Sequence, residues 1–455
     1  MERFFHSVTL DESKCKGCIN CIKRCPTEAI RVRNGKATIL AHRCIDCGEC
    51  IRVCPHHAKR AICDKLSDLS AYQYKIALPA PSFYGQFNNL EDVDILLSAL
   101  KDMGFDQVFE VSRAAELVSD CTRRMMRDGL LKLPVISSAC PAVVRLIRVR
   151  FPKLIDHVLP LNAPMELAAR MAKLEAAEKT GLPMEQIGAV FISPCAAKVT
   201  AVKMPLGARE SAVDAVVAIS EVYPKILSYM KHVQQPEELA KSGKIGVGWA
   251  DSGGEAAALL GENYLAADGI ENVIRVLESL EDEKFQNLEF VELDACSGGC
   301  VGGILTVENP YLAKTKLKRL KKYLPVSCNH LEGGIPPDAR FDVPLEYSPV
   351  LKLGTSFKDS FQKLSQMEQI TQELPGLDCG SCGAPSCRAL AEDVVRGIAR
   401  TDDCIFRLRD HMHSLVDQLS KLDDYIPPPF RLEHEEEEKE SEQKEEKENG
   451  DHPTA

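Results

Sequence analysis

The sequence lacks long apolar runs, has few aromatic residues and has no excess of basic residues. No uninterrupted apolar stretch among its 455 residues approaches the roughly 18 that a membrane-spanning helix needs. No apolar segment typical of a signal peptide follows the charged first residues, so we expect a cytoplasmic protein rather than a secreted disulfide scaffold. Aromatic residues make up 6% of the chain, and nothing basic or aromatic-rich predicts a nucleic-acid surface.

The net charge of −11 is unevenly distributed along the chain. Residues 431–455 contain eleven acids and four bases and have no hydrophobic periodicity. A segment of this composition buries too little apolar surface to fold. The pattern therefore predicts a disordered acidic tail over 431–455, whereas the 45% hydrophobic content of the whole chain is enough for folded domains upstream.

Nineteen cysteines are the most informative feature of the sequence. Clustered thiols in a reducing compartment usually bind metal. Eight of these cysteines form a repeat, C-x2-C-x2-C-x3-C-P, which begins at Cys15 and again at Cys44. This spacing is typical of two 4Fe-4S clusters, each held by three cysteines of one half and the last cysteine of the other. Zinc ribbons, by contrast, normally use pairs of cysteines.

The repeat predicts an α+β two-cluster ferredoxin-like module over residues 1–70 that relays electrons. Under the crossed rule, one cluster is bound by Cys15, Cys18, Cys21 and Cys54, and the other by Cys25, Cys44, Cys47 and Cys50. Cys63 follows the repeat without a motif of its own, and we expect it to be a small buried residue.

Strand-like runs alternate with amphipathic stretches over residues 74–350. The predicted strands include 74–78, 135–138, 189–192, 244–247 and 288–293. This alternation is typical of an α/β domain with parallel sheets, where ligands bind at the carboxyl ends of the strands. Loops at such ends carry Cys140, Cys195, Cys296 and Cys300. Spacing alone leaves open whether these cysteines bind one 4Fe-4S cluster or are ordinary core residues.

The loops around these cysteines form three longer motifs. They read Ser137-Ser138-Ala139-Cys140-Pro141, Ser193-Pro194-Cys195-Ala196-Ala197-Lys198 and Asp294-Ala295-Cys296-Ser297-Gly298-Gly299-Cys300. Together they resemble the cysteine motifs of FeFe-hydrogenases, the iron-only hydrogenases, over roughly residues 75–350. The resemblance implies an α/β bilobal hydrogenase domain with parallel sheets, preceded by the ferredoxin-like module.

The resemblance also implies an H-cluster, a 4Fe-4S cubane bridged to a diiron subsite that carries CO, cyanide and an azadithiolate. In this family the cubane would be ligated by Cys140, Cys195, Cys296 and Cys300. Cys300 would also bridge to the diiron subsite. Lys198 would donate hydrogen bonds to an iron-bound cyanide, since a buried ammonium needs an anionic partner.

Three small residues complete the site that the resemblance implies. Ser82 would lie beside the bridging amine of the diiron subsite. Gly253 and Gly254 belong to a glycine loop that fails both common phosphate-loop patterns. In the family this loop lets the backbone approach the cofactor.

The departures from the family motifs fall along one proton path. Ala139 stands where catalytic members have a cysteine that exchanges protons with the bridging amine. Arg113 replaces one acid of an E-x-x-E pair, and Ala163 replaces a serine of the relay. Because positioned proton carriers contribute roughly 10²- to 10⁴-fold to a rate, their loss should leave a slow enzyme with an otherwise intact metal site. This pattern of departures resembles the sensory class of FeFe-hydrogenases. Substitute carriers could be Asp294, Glu116, Glu166 and Glu255, although such carboxylates are more often surface or capping groups.

Four further cysteines lie in the C-terminal quarter of the chain. They are Cys379, Cys382, Cys387 and Cys404. Their spacing does not match a zinc finger and resembles a small single-cluster domain of electron-transfer proteins. We therefore expect a small helical 4Fe-4S domain over 356–404, with a helix over 388–400, that holds a third accessory cluster.

A helix with an apolar seam is predicted immediately after Cys404. Apolar residues recur with the spacing of a coiled coil at Ile405, Leu408, Met412, Leu415, Leu419 and Leu422. The pattern predicts a short coiled-coil helix over 405–426. This helix either packs on its own domain or forms a homodimer or partner-docking surface.

These motifs imply a ferredoxin-type hydrogenase of low activity that oxidises H2 slowly and reversibly as a hydrogen or redox sensor. Hydrogen would be cleaved heterolytically with the amine as immediate base, and electrons would pass through the 4Fe-4S clusters to ferredoxin or a separate signalling protein. Two alternatives are a non-catalytic iron-sulfur assembly factor without the diiron subsite and a plain electron-transfer protein. Retention of Lys198 argues against the assembly factor. For Cys121 and Cys328 we expect core packing.

Overall fold

The computed structural model describes residues 5–351 and 353–423. The predicted acidic tail over 431–455 and the last residues of the predicted 405–426 helix lie outside these ranges. Within them, no helix has the length and apolar character needed to cross a membrane.

The N-terminal segment contains two antiparallel pairs of short strands and two short helices. Its elements are β1 Val8–Leu10, α1 Asn20–Lys23, β2 Ile30–Arg33, β3 Lys36–Ile39, α2 Glu49–Arg52 and β4 Lys59–Ala61. The outer strands β1 and β4 pair antiparallel, and so do β2 and β3. Each half of the cysteine repeat therefore supplies one helix and the strand that follows its Cys-Pro step, as the two-cluster pattern predicts.

The first half of the middle region contains β5 Tyr74–Pro79, α3 Pro81–Tyr84, α4 Val93–Asp102, β6 Gln107–Val108, α5 Val111–Arg127, β7 Val135–Ile136, α6 Pro141–Arg150 and α7 Pro164–Thr180. The second half contains β8 Ile187–Ser193, α8 Ala196–Lys203, β9 Ala215–Ala218, α9 Ile219–Met230, α10 Lys244–Gly248, α11 Gly254–Ala258, β10 Tyr264–Asp268, α12 Ile270–Glu281, β11 Phe290–Asp294 and α13 Pro310–Lys321.

The strands of the middle region form two parallel sheets. One sheet has the order β6-β5-β8-β9 and the other β10-β11-β7. Every residue of β8 is buried, which is typical of a parallel strand covered by helices on both faces. The sequence prediction of parallel sheets is confirmed, while the division into two lobes stays a prediction.

The predicted strand over 244–247 is wrong, because these residues form the short helix α10. The N–H of Lys244 donates to the carbonyl of Pro325, so the start of the segment is held by a loop rather than by a strand. Gly246 lies against the backbone of Ser112 in α5, where a side chain would collide. A four-residue apolar run with glycines does not distinguish a strand from a tightly packed helix.

The C-terminal segment is helical and docks on the N-terminal module. It contains α14 Phe357–Glu373, α15 Cys387–Val395 and α16 Ile405–Asp423. The N–H of Val32 in β2 donates to the carbonyl of Gly383 at 2.8 Å, and Arg33 donates to the carbonyl of Cys382 at 2.6 Å. The loop that carries the C-terminal cysteines therefore lies directly against β2.

Buried ion pairs reinforce this contact. Arg31 and Arg33 both contact the carboxylate of Asp393, at 2.7 and 2.8 Å. Arg43 contacts Glu392 at 2.7 Å. Asp393 and Glu392 are nearly inaccessible, so their charges depend on these arginines in place of water.

The helix α16 leaves its apolar seam uncovered in the described chain. Ile405, Leu408, Met412, Leu415 and Leu419 are all exposed. The sequence prediction of a helix is confirmed over Ile405–Asp423, but packing of the seam on its own domain is not observed within the described residues.

We predict that the charge of Asp393 holds the C-terminal segment on the module. Asp393→Asn keeps the shape of the side chain but leaves two arginines uncompensated, which should cost about 3 to 5 kcal/mol. Hydrogen exchange of the α15 amides would measure this as a lower free energy of local opening.

A matched control is Glu271→Gln, which breaks the exposed Arg24–Glu271 pair and should change that free energy by less than about 1 kcal/mol. Equal effects of the two variants would contradict the proposed role of the buried charge.

Candidate metal centre

The eight cysteines of the repeat line two cavities in the N-terminal module. The first cluster site is the cavity lined by Cys15, Cys18, Cys21 and Cys54. The second cluster site is the cavity lined by Cys25, Cys44, Cys47 and Cys50. In each site, the last cysteine of one half lies among three cysteines of the other half. The structure thus has the crossed arrangement, and the ligand assignment itself stays a prediction.

Backbone amides in both sites point at sulfur. The N–H of Ala29 donates to Cys25 Sγ at 3.2 Å, and the N–H of Ala58 donates to Cys54 Sγ at 3.3 Å. Burial works against ionisation of Cys54, but donated N–H groups outweigh it and lower the pKa of this thiol. Donors of this kind favour the thiolate form that binds metal.

The second cluster site adjoins the loops of the middle region. Ile45, beside Cys44, is buried in the same apolar cluster that Cys140 and Cys195 contact. Arg52 Nη2 donates to the carbonyl of Gly302 at 2.9 Å. A contiguous packed layer therefore connects this site to the cysteines of the sheets.

The four cysteines of the middle region lie just past the carboxyl ends of strands. Cys140 and Cys195 precede α6 and α8, and Cys296 follows β11 by two residues. Burial raises the pKa of Cys296 well above its usual range, with further contributions from nearby Cys195 and Cys140. Both parallel sheets therefore direct cysteine loops to one place.

Burial determines the protonation state of these thiols in the chain alone. It raises the pKa of Cys140 and of Cys300 to about 11. Such thiols keep their protons at neutral pH unless a metal displaces them. Four converging thiol donors suit a soft thiophilic centre such as an iron-sulfur cluster.

A cavity lies beside Cys300. Its wall is mostly apolar and is formed by Ala80, Pro81, Val111, Ala115, Ala139, Ala163, Pro164, Met165, Phe191, Pro194, Trp249 and Ala250. The polar lining residues are Ser82, Lys198, Glu255, Glu292 and Asp294. An apolar cavity with a few placed polar groups is typical of a cofactor site.

Two of the polar groups are available for a bound ligand. Lys198 Nζ lies 3.6 Å from Cys300 Sγ and donates to it. Ser82 is 1% exposed, and its hydroxyl has no hydrogen-bond partner in the described part of the chain. The thiols, the ammonium and the unpaired hydroxyl fit an anionic metal group such as the H-cluster.

The family-model comparison matches most of this region. Residues 73–261 and 255–304 match the model for the iron only hydrogenase large subunit, C-terminal domain.

The chain belongs to this hydrogenase family.

Residues 7–55 match a 4Fe-4S dicluster domain, and residues 374–406 match an Fe-S cluster model.

Similar curated proteins include both hydrogenases and an assembly factor. The large subunit of a periplasmic iron hydrogenase from Nitratidesulfovibrio vulgaris is 30% identical over 212 residues, which are 42% of this chain and half of that protein. Iron hydrogenase 1 of Clostridium pasteurianum is 23% identical over 390 residues, 69% of this chain and 68% of that one. The cytosolic Fe-S cluster assembly factor Nar1 of Aspergillus flavus is 27% identical over 109 residues, 24% of this chain and 18% of that one.

A solved structure has the same fold. It comes from a study of FeFe-hydrogenase oxygen inactivation and of degradation of the 2Fe subcluster, with a TM-score of 0.50 and 16% identity. The alignment covers 63% of this chain and 98% of that chain. At this identity the likeness supports the FeFe-hydrogenase-like fold of the middle region.

Acids of the hydrogenase domain line the cavity next to Ala139. Ser137 donates to Glu255 Oε2 at 2.6 Å, and the N–H of Ala139 donates to the hydroxyl of Ser137 at 3.1 Å. Glu292 accepts the N–H groups of Gly253 and Ala256, each at 2.8 Å. Burial raises the pKa of the Glu255 carboxyl to about 8, and it also raises the pKa of Glu292.

Glu292 was missed by the sequence analysis. It stands in β11 two residues before Asp294, so both side chains lie on one face of the strand. The sequence does carry a signal for Glu292, because it is an acid within an otherwise apolar strand that ends in a second acid.

Two other candidate proton carriers are placed elsewhere. Glu116 accepts hydrogen bonds from the N–H groups of Gly243, Cys328 and Asn329, so it anchors loops. Glu166 accepts from Ser211 and from the N–H of Ala212, and it lines a different cavity. Asp294 and Glu255 are the two predicted acids that line the cavity beside Cys300.

The glycine loop contributes to the wall of the cavity indirectly. Trp249, Ala250 and Glu255 line the cavity, whereas Gly253 and Gly254 lie behind it. Gly253 has a φ of 87° and uses its N–H to hold Glu292. Gly254 lies against the carbonyl of Gly248, where a side chain would collide. Direct contact between these glycines and a cofactor therefore stays a prediction.

The remaining cysteines fall into two groups. Of the C-terminal set, Cys379 is exposed, Cys382 and Cys387 are half-buried and Cys404 is buried. Among the unassigned cysteines, Cys121 is buried in the core, Cys63 is half-buried against it, and Cys328 is exposed. The expectation of core packing was therefore wrong for Cys328, which lies in a surface loop held by Glu116.

We predict that Glu255 makes the stability of the unmatured protein depend on pH. Its pKa is raised from 4.5 to about 8, so the folded protein holds a proton that the unfolded chain releases. The associated stability is complete below the unfolded pKa and is lost as pH rises toward 8, with a slope of up to about 1.4 kcal/mol per pH unit.

Denaturant unfolding between pH 5 and 8 would test this. Glu255→Gln should reduce the fall in the free energy of unfolding as pH rises, and the exposed control Glu271→Gln should not. A Glu255→Gln protein with the wild-type slope would show that the folded carboxyl is not protonated.

Proposed function

We propose that this protein binds H2 and oxidises it slowly and reversibly at an H-cluster, and that it acts as a hydrogen or redox sensor. The observation that carries the proposal is the cavity beside Cys300, into which Lys198 brings an ammonium 3.6 Å from the sulfur. A scaffold for a single cubane has no need of this second, largely apolar space next to one ligand.

The chain offers ligands for the cofactors that this function needs. The cubane of the H-cluster would be held by Cys140, Cys195, Cys296 and Cys300, with Cys300 also bridging to the diiron subsite. Three accessory 4Fe-4S clusters would occupy the two cluster sites of the module and the C-terminal set Cys379, Cys382, Cys387 and Cys404. When bound, the H-cluster would supply the reversible two-electron oxidation of H2 to two protons.

Residues of the cavity would orient the cofactor and exclude water. The ammonium of Lys198 would donate to an anionic ligand of the diiron subsite, which offsets the cost of its burial. Ser82 would donate its unpaired hydroxyl to the same group. The apolar wall around them would keep bulk water from the reacting atoms.

Glu255 would hold the proton that leaves the cavity. Its pKa, raised to about 8, lies near cellular pH, so this carboxyl can both bind and release a proton. Ser137 links this carboxyl to the backbone of Ala139, the position where fast family members have a cysteine. Glu292 and Asp294 line the same cavity and would extend the path.

The altered residues of the usual path support slow turnover. Ala139 and Ala163 line the cavity with methyl groups that carry no proton. Arg113 pairs with Glu175 and lies over the ring of Phe109, while Glu116 is committed to loop amides. A rate reduced by this loss suits detection of H2 better than bulk flux.

Electrons would leave through the accessory clusters. The second cluster site adjoins the hydrogenase loops, and the C-terminal cysteine loop docks on the same module. A ferredoxin or a separate signalling protein would exchange electrons with this assembly in the cytoplasm, where the cysteines stay reduced.

The alternative is an iron-sulfur assembly or electron-transfer role without the diiron subsite. The likeness to the Nar1 assembly factor over 109 residues favours it. The unpaired hydroxyl of Ser82 in the cavity beside Cys300 weighs against it, because a lone cubane would leave this buried hydroxyl without a partner.

Turnover of matured protein with H2 and a redox dye tests the proposed function. We expect H2 oxidation at a rate well below that of a catalytic hydrogenase. Glu255→Gln should lower this rate by about 10²-fold or more at unchanged iron content, since a positioned proton carrier is lost.

The control is Glu271→Gln, an exposed acid that does not line the cavity, which should keep the wild-type rate. Turnover at ordinary catalytic speed would refute the sensory proposal. The absence of any turnover in protein with a full iron content would favour the assembly or electron-transfer role.

We further propose that α16 mediates homodimerisation through its exposed seam. Met412→Glu combined with Leu419→Glu places charges in this seam and should convert a dimer to a monomer in light scattering. The outward-facing pair Asp410→Asn and Asp417→Asn serves as the control. A wild-type monomer at micromolar concentration would contradict dimerisation.

A further inference from the structure

Lys59 is a buried cation beside the first cluster site. It begins β4, its side chain is 3% exposed, and it lines the same cavity as Cys15, Cys18, Cys21 and Cys54. Its ammonium has no hydrogen-bond partner in the described part of the chain. A buried ammonium without a partner is costly, so this position demands an explanation beyond packing.

The internal repeat gives that position a natural comparison. After the Cys-Pro step, the first half reads Cys25-Pro26-Thr27-Glu28-Ala29-Ile30, and the second reads Cys54-Pro55-His56-His57-Ala58-Lys59. Ala29 and Ala58 make the same N–H to sulfur contact in their two halves. Ile30, the counterpart of Lys59, is 2% exposed and lines the second cluster site. At this position the second site therefore has an aliphatic residue, whereas the first site has a buried cation.

Lys59 lines the first site and does not line the second, although its charge also reaches Cys50 of the second site. Lys16 and His56 line the first site too, but both are exposed and are screened by water.

We propose that Lys59 makes the cluster of the first site easier to reduce than the cluster of the second site. The inference rests on the proposed function only in that both sites hold 4Fe-4S clusters. Each cluster accepts one electron and gains one negative charge on reduction. A buried cation at close range, in a medium of low dielectric constant, stabilises that charge.

The difference gives the relay a direction. The second site adjoins the hydrogenase loops, so an electron that enters it there would move to the first site with a favourable change in free energy.

The test is a potentiometric titration of the full-length protein with its 4Fe-4S clusters loaded, reduced stepwise by dithionite and followed by electron paramagnetic resonance. Lys59→Ile copies the residue of the other half. We expect the equilibrium constant of one reduction step to fall at least tenfold. For one electron this moves its potential about 59 mV or more in the negative direction.

Lys16→Ile is the matched control, because it removes an equal but exposed charge from the same cavity lining and should shift that step much less. Ile30→Lys is the reciprocal variant and should raise the potential of a different step. Equal shifts for Lys59→Ile and Lys16→Ile would overturn the inference, as would no shift.

Two further outcomes separate this inference from the proposed function. If wild-type protein assembles no clusters in the module, the proposed relay fails. If clusters are lost from both Lys59→Ile and Lys59→Met but kept in Lys16→Ile, Lys59 is a structural residue and the inference fails while the relay stands.

Discussion

Four half-buried thiols just past the carboxyl ends of two parallel sheets are the constraint on which the rest of the structure depends. The sheets bring Cys140, Cys195, Cys296 and Cys300 to one place where burial keeps thiols protonated in the absence of metal. Lys198 is half-buried and donates to the sulfur of Cys300. A bound anionic metal group would displace the thiol protons and offset the charge of Lys198, so we expect the cofactor to stabilise the fold.

Buried ionisable groups recur at the other functional positions of the chain. The C-terminal segment is held on the module by arginines that face Asp393 and Glu392. Glu255 and Glu292 line the cavity with carboxyls whose pKa is raised by burial. Each of these groups is poorly hydrated, so its interactions with neighbouring groups are strong. Groups withdrawn from water therefore determine both the docking of the C-terminal segment and the acids available for proton transfer.

The parts of the fold that depend on local spacing could be predicted from the sequence. The crossed cysteine repeat, the parallel sheets and the helix after Cys404 all follow from residue patterns within short segments. Other features depend on long-range packing and could not be predicted. The run 244–247 is a helix because loop 325–326 and α5 surround it, and Cys328 is exposed because its loop is anchored by Glu116. Docking of the C-terminal segment on β2 has no local signature at all.

Infrared spectroscopy of the matured protein tests the central claim most directly, because only a diiron subsite places CO and cyanide on iron in this fold. We predict bands of iron-bound CO and cyanide in the wild-type protein and their loss in Cys300→Ser, which lacks the sulfur that we propose as the bridge. Protein that has passed through maturation with its 4Fe-4S clusters intact but shows no such bands would contradict the account.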